Sequence, residues 1–268
     1  MPYEAELKAA LTAARAAGAL IQHAYSSFVA IPDAPADITT DADRAAQEAI
    51  LTELRRRFPD DALCAEEQTP TLASAPKSGP RLWVVDPIDG TRGFAQKNGE
   101  FSVMVAFVDN GRVAVGIVYE PAHGRLTRAV RGGGCWREDA SAAPIACSVT
   151  QTSDLSTATL VQSRSKPGRV SRPVEALRPA KVIETHSAGI KLALVARGEA
   201  DLYVNTYTEF HDWDIAAGQI LVEEAGGKVT GLRGEEIAYG SPGAWQRSRL
   251  LASNGVLHAA AIETCAEI

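Results

Sequence analysis

Residues 86–94 read DPIDGTRGF, and the fold turns on where that stretch sits. The preceding Leu82 to Val85 (LWVV) are apolar and rich in β-formers, which predicts a strand. Pro87 has no N–H to give a ladder, so the strand is expected to stop there with Asp86 at its end. Asp89-Gly90 is a turn pair. Both carboxylates then face one point just beyond a sheet, where mixed α/β folds tend to place binding sites. Taken alone, DPIDG is equally an Asx-type turn with solvated acids.

Upstream, YEAELKAALTAARAAGALIQHAY is an Ala-rich helix, and TTDADRAAQEAILTELRRRFP is a second. In the second, Thr40 or Asp41 can cap, and Ala46, Ile50, Leu54 and Phe58 recur every four residues. Asp43 falls in its first turn. ALCAEEQ predicts a short strand ending at Glu66-Glu67. Two Pro-containing loops, 26–38 and 69–80, are expected to lack regular structure.

Downstream, FSVMVAFV, RVAVGIVYEP and RLTRAV predict an antiparallel meander, with Asp109-Asn110-Gly111 as a hairpin signal. The small, polar segment after Glu138 suggests a boundary between residues 1–140 and 150–268. Beyond it the pattern alternates. Strands are expected at STATLVQSRS, ADLYVN, GKVTGLRG and SRLLASNG, with helices at SRPVEALRP, SAGIKLALVARG, WDIAAGQILVEEAGG and VLHAAAIETCAEI.

At 268 residues, 46% hydrophobic and 22% charged, the chain can bury a sizeable core. Its net charge of −6 and the lack of a long basic run argue against a dominant nucleic-acid role. An acidic protein that handles anions needs a local positive element such as a metal. Cys64, Cys135, Cys147 and Cys265 form no CxxC, which suits a reducing compartment. The N-terminus has no basic stretch followed by an apolar core, and no run approaches the ~18–20 apolar residues that span a bilayer. A soluble cytoplasmic protein is the expectation.

Glu66, Asp86, Asp89 and Asp214 all lie at element ends, and Asp43 is a fifth acid near a helix start. Singly each has a plain explanation; Asp214, for example, would complement a helix dipole. Together they suit a hard divalent cation such as Mg²⁺, which takes carboxylate, carbonyl and water oxygens. The Ile88 carbonyl could add an oxygen, and Gly90 and Thr91 could offer N–H groups to a phosphate.

AEEQ (65–68), DPIDGTRGF (86–94) and WDIAAGQILVEEAGG (213–227), with DITTDAD (37–43) upstream, resemble in order and spacing the inositol monophosphatase-like superfamily of Mg²⁺-dependent, lithium-sensitive phosphatases. The resemblance spans essentially the whole chain. It implies an α+β fold, a layered α/β/α/β/α sandwich. It implies that Glu66, Asp86, the Ile88 carbonyl, Asp89 and Asp214 hold two or three Mg²⁺ ions, and that Thr91 and Asp43 orient and deprotonate the attacking water.

NGEFSV (98–103) and QSRSKP (162–167) resemble the branch that hydrolyses 3′-phosphoadenosine 5′-phosphate, which implies a small phosphorylated metabolite, a nucleotide, as partner. Inositol-specific relatives carry a carboxylate seven residues before the helix-opening Asp; here that residue is Tyr207, with Glu209 out of register. Tyr207 could stack on a base, or fill surface at a strand end. Arg164 and Lys166 could meet a second phosphate or be solvated charges. Lys191 matches a position where nucleotidase relatives often carry Lys. Phosphatases of inositol monophosphate, other sugar phosphates or histidinol phosphate, and a partner- or RNA-binding protein on the same fold, are the rival expectations. Monomer and homodimer both remain open.

Overall fold

The computed structural model describes residues 2–35, 37–140, 142–164 and 169–268. Helix α1 (Glu4–Ser27) buries Ala9, Ala10, Ala13, Ala14, Ala17 and Ile21, a stripe of mostly small side chains that lets the helix lie close to its neighbours. Helix α2 (Asp41–Arg57) starts at Thr40, whose backbone N–H donates to Asp43 Oδ2 at 2.8 Å, half of a capping box. Its buried residues include Ala46, Ile50 and Leu54, as the four-residue spacing predicts.

Strand β1 (Ala62–Ala65) runs parallel to β2 (Arg81–Asp89). Between them, Pro70–Ser74 forms a short helix, α3, where a structureless loop was expected. Pro70 begins the helix, Leu72 is buried, and the Thr71 hydroxyl donates to Glu48 of α2 at 2.6 Å. Pro87 disturbs β2 without ending it. Pairing with β3 (Ser102–Asp109) shifts register between Asp86 and Asp89 and resumes at Asp89 opposite Ser102. A bulge accommodates the missing N–H, so the two acids flank a kink inside the strand. Helix α4 (Thr91–Ala95) follows at once.

Strand β3 turns into β4 (Arg112–Glu120) through Asn110 and Gly111, both at positive φ (50° and 78°), the two-residue hairpin that the sequence signals. Strands β5 (Arg125–Val130), β6 (Gly134–Asp139) and β7 (Ile145–Ala146) extend the sheet antiparallel, giving seven strands in chain order.

The remaining chain runs β8 (Thr159–Gln162), α5 (Arg172–Leu177), β9 (Lys181–Glu184), α6 (Ala188–Ala196), β10 (Leu202–Asn205), β11 (Phe210–His211), α7 (Ala216–Glu224), β12 (Lys228–Thr230), β13 (Trp245–Gln246), β14 (Leu250–Ser253) and α8 (His258–Cys265). Five of these strands form a second sheet in the order β12-β14-β10-β8-β9, and β11 pairs with β13.

Three apolar clusters show how the layers stack. One joins α1 and α2 to one face of the first sheet through Leu51, Leu54, Trp83, Phe107 and Ile117. A second lies around α6 and α7, between the two sheets, through Met104, Val118, Leu192, Ile220, Leu221 and Ala252. The third seats α5 and α8 on the far face of the second sheet through Leu160, Leu177, Leu251 and Ala261. The order is helices, sheet, helices, sheet, helices. This is the α/β/α/β/α sandwich, an α+β fold, and burial of both faces of each sheet explains why β2, β3 and β4 read as apolar runs. Among the described residues no helix is long and apolar enough to cross a membrane.

Candidate active site

Where β1 and β2 end, the chain opens a cavity of about 530 Å³ lined by Glu66, Asp86, Ile88, Asp89, Gly90, Thr91, Arg164, Tyr207 and Asp214, among others. Nine of the eleven positions singled out from the sequence line it. Asp43 is buried just behind, hydrogen-bonded to Thr91. Lys191 is the exception in kind. It does not line the cavity; it is buried beneath it on α6, and its Nζ donates to the His186 carbonyl at 3.1 Å.

Asp86, Asp89 and Asp214 each bring a carboxylate oxygen within 4.8 Å of the others. Asp86 Oδ1 is buried and has no hydrogen-bond partner. A buried oxygen left without a donor is costly, and burial together with the neighbouring acids Glu66, Asp89 and Asp214 pushes the Asp86 carboxyl well above the usual range. Burial and Asp89 push Asp214 up to about 7, against the pull of the His211 N–H, which donates to its Oδ2 at 2.6 Å. Glu66, on the cavity wall and reached by solvent, is raised by crowding protein and then by Asp214 and Asp43. Acids that repel one another around an orphaned oxygen fit a divalent cation, which would supply the missing partner and hold the carboxylates ionised. The chemistry of the donor set, all oxygen, is that of a hard ion.

Asp89 has a second task that the sequence did not disclose. Its carboxylate accepts from Gly189 N (2.7 Å), Ala188 N (3.1 Å) and the Ser187 hydroxyl, so it closes the N-terminus of α6. Ser187 itself caps Ile190 N at 3.0 Å. One carboxylate thus ties the cavity floor to the central helix layer. Its Oδ1 accepts only one of these bonds, which leaves a lone pair free.

Thr91 Oγ1 lies 2.9 Å from both Asp43 Oδ1 and the Ile88 carbonyl. Asp43 Oδ2 is fixed from behind by the Thr40 hydroxyl and N–H. Burial raises the Asp43 carboxyl, and the Thr40 and Thr91 hydrogen bonds oppose it. This turn requires Gly90. Its φ is 88°, and a Cβ there would meet the Glu100 carbonyl at 2.6 Å.

The inositol monophosphatase family model matches residues 3–268. The chain belongs to that family. Among relatives of the inositol monophosphatase family, it is 33% identical to the fructose-1,6-bisphosphatase/inositol-1-monophosphatase of Thermotoga maritima, over 87% of this chain and 84% of that one. It is 32% identical to the 3′(2′),5′-bisphosphate nucleotidase CysQ of Escherichia coli K12, over 84% and 90%. The inositol monophosphatase of Anabaena superposes with a TM-score of 0.80 at 30% identity, covering 100% of this chain and 98% of that one. The chain is therefore a phosphatase of a metal-dependent family, as the motifs implied.

Several cavity residues went unread in the sequence. Arg92 and His186 line it, as do Asp37 to Thr39, the end of the loop over 26–38. His186 Nε2 lies 3.1 Å from Gln96 Oε1, and its backbone N–H donates to Glu100. The only usable signal was the Ser187 cap beside it. Glu100 also pairs with Arg164, so the NGEFSV and QSRSKP segments meet at one ion pair. Lys166 lies outside the described residues. Glu209 is exposed and does not line the cavity. Trp213 packs against the cluster around α6 and α7 and stacks on His211 at 4.2 Å between ring centroids.

Proposed function

We propose that this protein is a Mg²⁺-dependent phosphomonoesterase whose preferred substrate is a nucleotide carrying a second phosphate, of the 3′-phosphoadenosine 5′-phosphate type. Glu66, Asp86, the Ile88 carbonyl, Asp89 and Asp214 would hold the metal. Bound there, Mg²⁺ lowers the pKa of water and neutralises phosphate charge. The chain's own residues do the rest. Thr91 offers its hydroxyl lone pair to the attacking water while giving its own proton toward Asp43, and the raised Asp43 carboxyl makes it a competent final acceptor. Attack in line forms the new O–P bond as the bond to the leaving alcohol breaks, so no covalent bond to the protein is needed.

The observation that carries the substrate class is the join between two cavities. Arg92, Ser163, Arg164 and Tyr207 line both the acidic cavity and a neighbouring one of about 410 Å³. A substrate bound by its reacting phosphate at the acids would lay its remainder along that shared wall. Tyr207, 63% exposed, presents a ring for a base, and Arg92 a cation for a second phosphate. One feature favours the rival sugar- or alcohol-phosphate class: Arg164 is already countered by Glu100.

Phosphate release with saturating Mg²⁺ from 3′-phosphoadenosine 5′-phosphate, inositol 1-phosphate, fructose 1,6-bisphosphate and histidinol phosphate, each with an EDTA control, decides between them. The expected result is the highest kcat/KM for the nucleotide, falling at least about tenfold when Tyr207 becomes Ala. A higher value for a sugar or alcohol phosphate overturns the substrate class and leaves the chemistry standing. Release that persists in EDTA overturns the metal assignment.

A further inference from the structure

Cys135 and Cys147, which show no motif spacing, meet in space on the far side of the first sheet from α1 and α2. Trp136 pairs with Ala146 and Arg137 with Ile145 across β6 and β7. The same register sets Cys135 opposite Cys147, and Cys147 N donates to the Cys135 carbonyl at 2.8 Å. Residues directly opposed on antiparallel strands put their side chains on one face, with Cβ atoms ~4.5–5.5 Å apart. The Cα separation usual for such an opposed pair, about 4.5–5.5 Å, lies within the span a disulfide takes. The Cys147 thiol donates weakly to the Ile145 carbonyl at 4.0 Å.

The two sulfurs differ in their surroundings. Cys135 is buried in the cluster between the sheets, whereas Cys147 is half-buried beside exposed Ile145, Ala146 and Ser148. Two arginines act on Cys147. Arg197 is almost wholly buried; its Nη1 bonds Glu120 at 2.6 Å, and its Nη2 has no hydrogen-bond partner. Arg137, in register two residues along from Cys135, pairs with Asp139 at 2.8 Å and Glu199 at 3.5 Å, and its Nε is likewise unpartnered. A partly exposed thiol beside cations is the setting in which cysteines react.

We propose that Cys147 and Cys135 are a peroxide-responsive thiol pair, Cys147 the attacking sulfur and Cys135 the resolving one, closing to an intramolecular disulfide. The Cys147 thiolate attacks one oxygen of hydrogen peroxide; the O–O bond breaks, Cys147 becomes a sulfenic acid, and hydroxide leaves and takes up the proton that Cys147 had released. Cys135 then attacks the sulfenic sulfur, the S–S bond forms, and its thiol proton leaves with the hydroxyl as water. Two thiols are oxidised and one peroxide is reduced to two waters.

The direction of each thiol's acidity agrees. The neighbouring Cys135 thiol, then Arg197 and Arg137, hold Cys147 below the usual thiol range against burial and Glu199, while Cys135 is held above it. The other two cysteines serve as internal controls. Burial pushes Cys64 up to about 12 and Cys265 up to about 11.

The first two readings need no variant. Brief iodoacetamide labelling of the reduced, Mg²⁺-loaded protein should modify Cys147 roughly ten times faster than Cys64 or Cys265. Peroxide followed by non-reducing tryptic mapping should join Gly132–Arg137 to Glu138–Arg164, reversibly with dithiothreitol, while Cys64 and Cys265 stay alkylatable. In Cys135→Ser, dimedone should trap the sulfenic acid at Cys147. Labelling of Cys147 no faster than Cys64, or peroxide oxidation that reaches Cys64 or Cys265 first, overturns the proposal.

Discussion

The paired strands β1 and β2 carry buried acids at both ends, and the two ends are built on opposite terms. At one end Asp61 is 5% exposed, and the chain supplies every partner it needs. Arg81 Nε and Nη2 reach it at 2.7 and 3.0 Å, and Trp83 Nε1 donates at 3.0 Å. Arg81 also bonds Glu6 and lies over the Phe58 and Phe107 rings. At the other end Asp86 is 2% exposed, with an orphaned oxygen and only acids for ionisable neighbours. A buried charge is tolerable when it is paired. The first end is closed by the protein itself, whereas the proposed function leaves the second for a cation to close. On that proposal the contrast separates a structural acid from a working one without reference to position in the sequence.

The same substitution at the two ends should therefore do opposite things. Asp86→Asn removes a carboxylate that would hold the metal, where several kcal/mol of charge stabilisation are at stake. At ~1.4 kcal/mol per decade, kcat/KM is expected to fall about 1,000-fold or more. Because the change also relieves repulsion among the acids, the urea midpoint in EDTA should hold steady or rise. Asp61→Asn should leave kcat/KM within about twofold and cost about 2 kcal/mol of stability, since Arg81 loses its nearer carboxylate. If Asp61→Asn lost activity as Asp86→Asn does, the distinction between the ends would be wrong.

Metal itself sharpens the comparison. Mg²⁺ at 100 times its dissociation constant should stabilise the wild-type protein by ~2.7 kcal/mol over EDTA, several degrees in a thermal melt. The gain should vanish in Asp86→Asn and survive in Asp61→Asn. A wild-type melt indifferent to Mg²⁺ would mean that the acids close among themselves by protonation.

How much of this was legible in the sequence follows from the range of each interaction. Helices α1, α2, α5, α6 and α8 and the β3–β4 hairpin are local patterns, periodic apolar residues and an Asn-Gly turn, and they appear where the sequence placed them, whereas α7 starts at Ala216 and Asp214 ends a 3-10 turn before it. Pro87 misled because its local effect, loss of one donor, was absorbed by a bulge that only the partner strand β3 could reveal. Loop 69–80 gained a helix for the same reason, through Thr71 reaching Glu48 some twenty residues back. Strands β7, β11 and β13 are two residues long, too short for any period to register. The acid set was legible because motifs in fixed order imply it. The Asp89 cap on α6 and the Glu100–Arg164 pair were not, since they join segments 60 to 100 residues apart with no local trace.

His258 extends the comparison to a third buried ionisable group, one the chain satisfies in its neutral form. Its Nε2 lies 2.9 Å from Thr230 Oγ1 and its Nδ1 2.8 Å from Ser253 Oγ. Burial first, then the Lys228 charge, pushes its pKa down to about 4. In the unfolded chain an imidazole takes a proton near 6.5. Below that pH the unfolded state binds more protons than the folded one, so stability falls with falling pH from about 6.5 and the loss is complete once the pH drops below the folded value of about 4. The expected loss attributable to His258 is on the order of 3 kcal/mol. It is read as the difference between wild-type and His258→Gln urea midpoints, which removes the contribution of the carboxylates titrating in the same range. Wild type should lead at pH 7.5 and lose its lead by pH 4.5. A lead that stays constant would mean that His258 takes its proton in the fold as readily as in the unfolded chain. The two hydroxyls would then be serving the imidazolium as acceptors, and His258 would belong with Asp61, a charge the chain completes by itself.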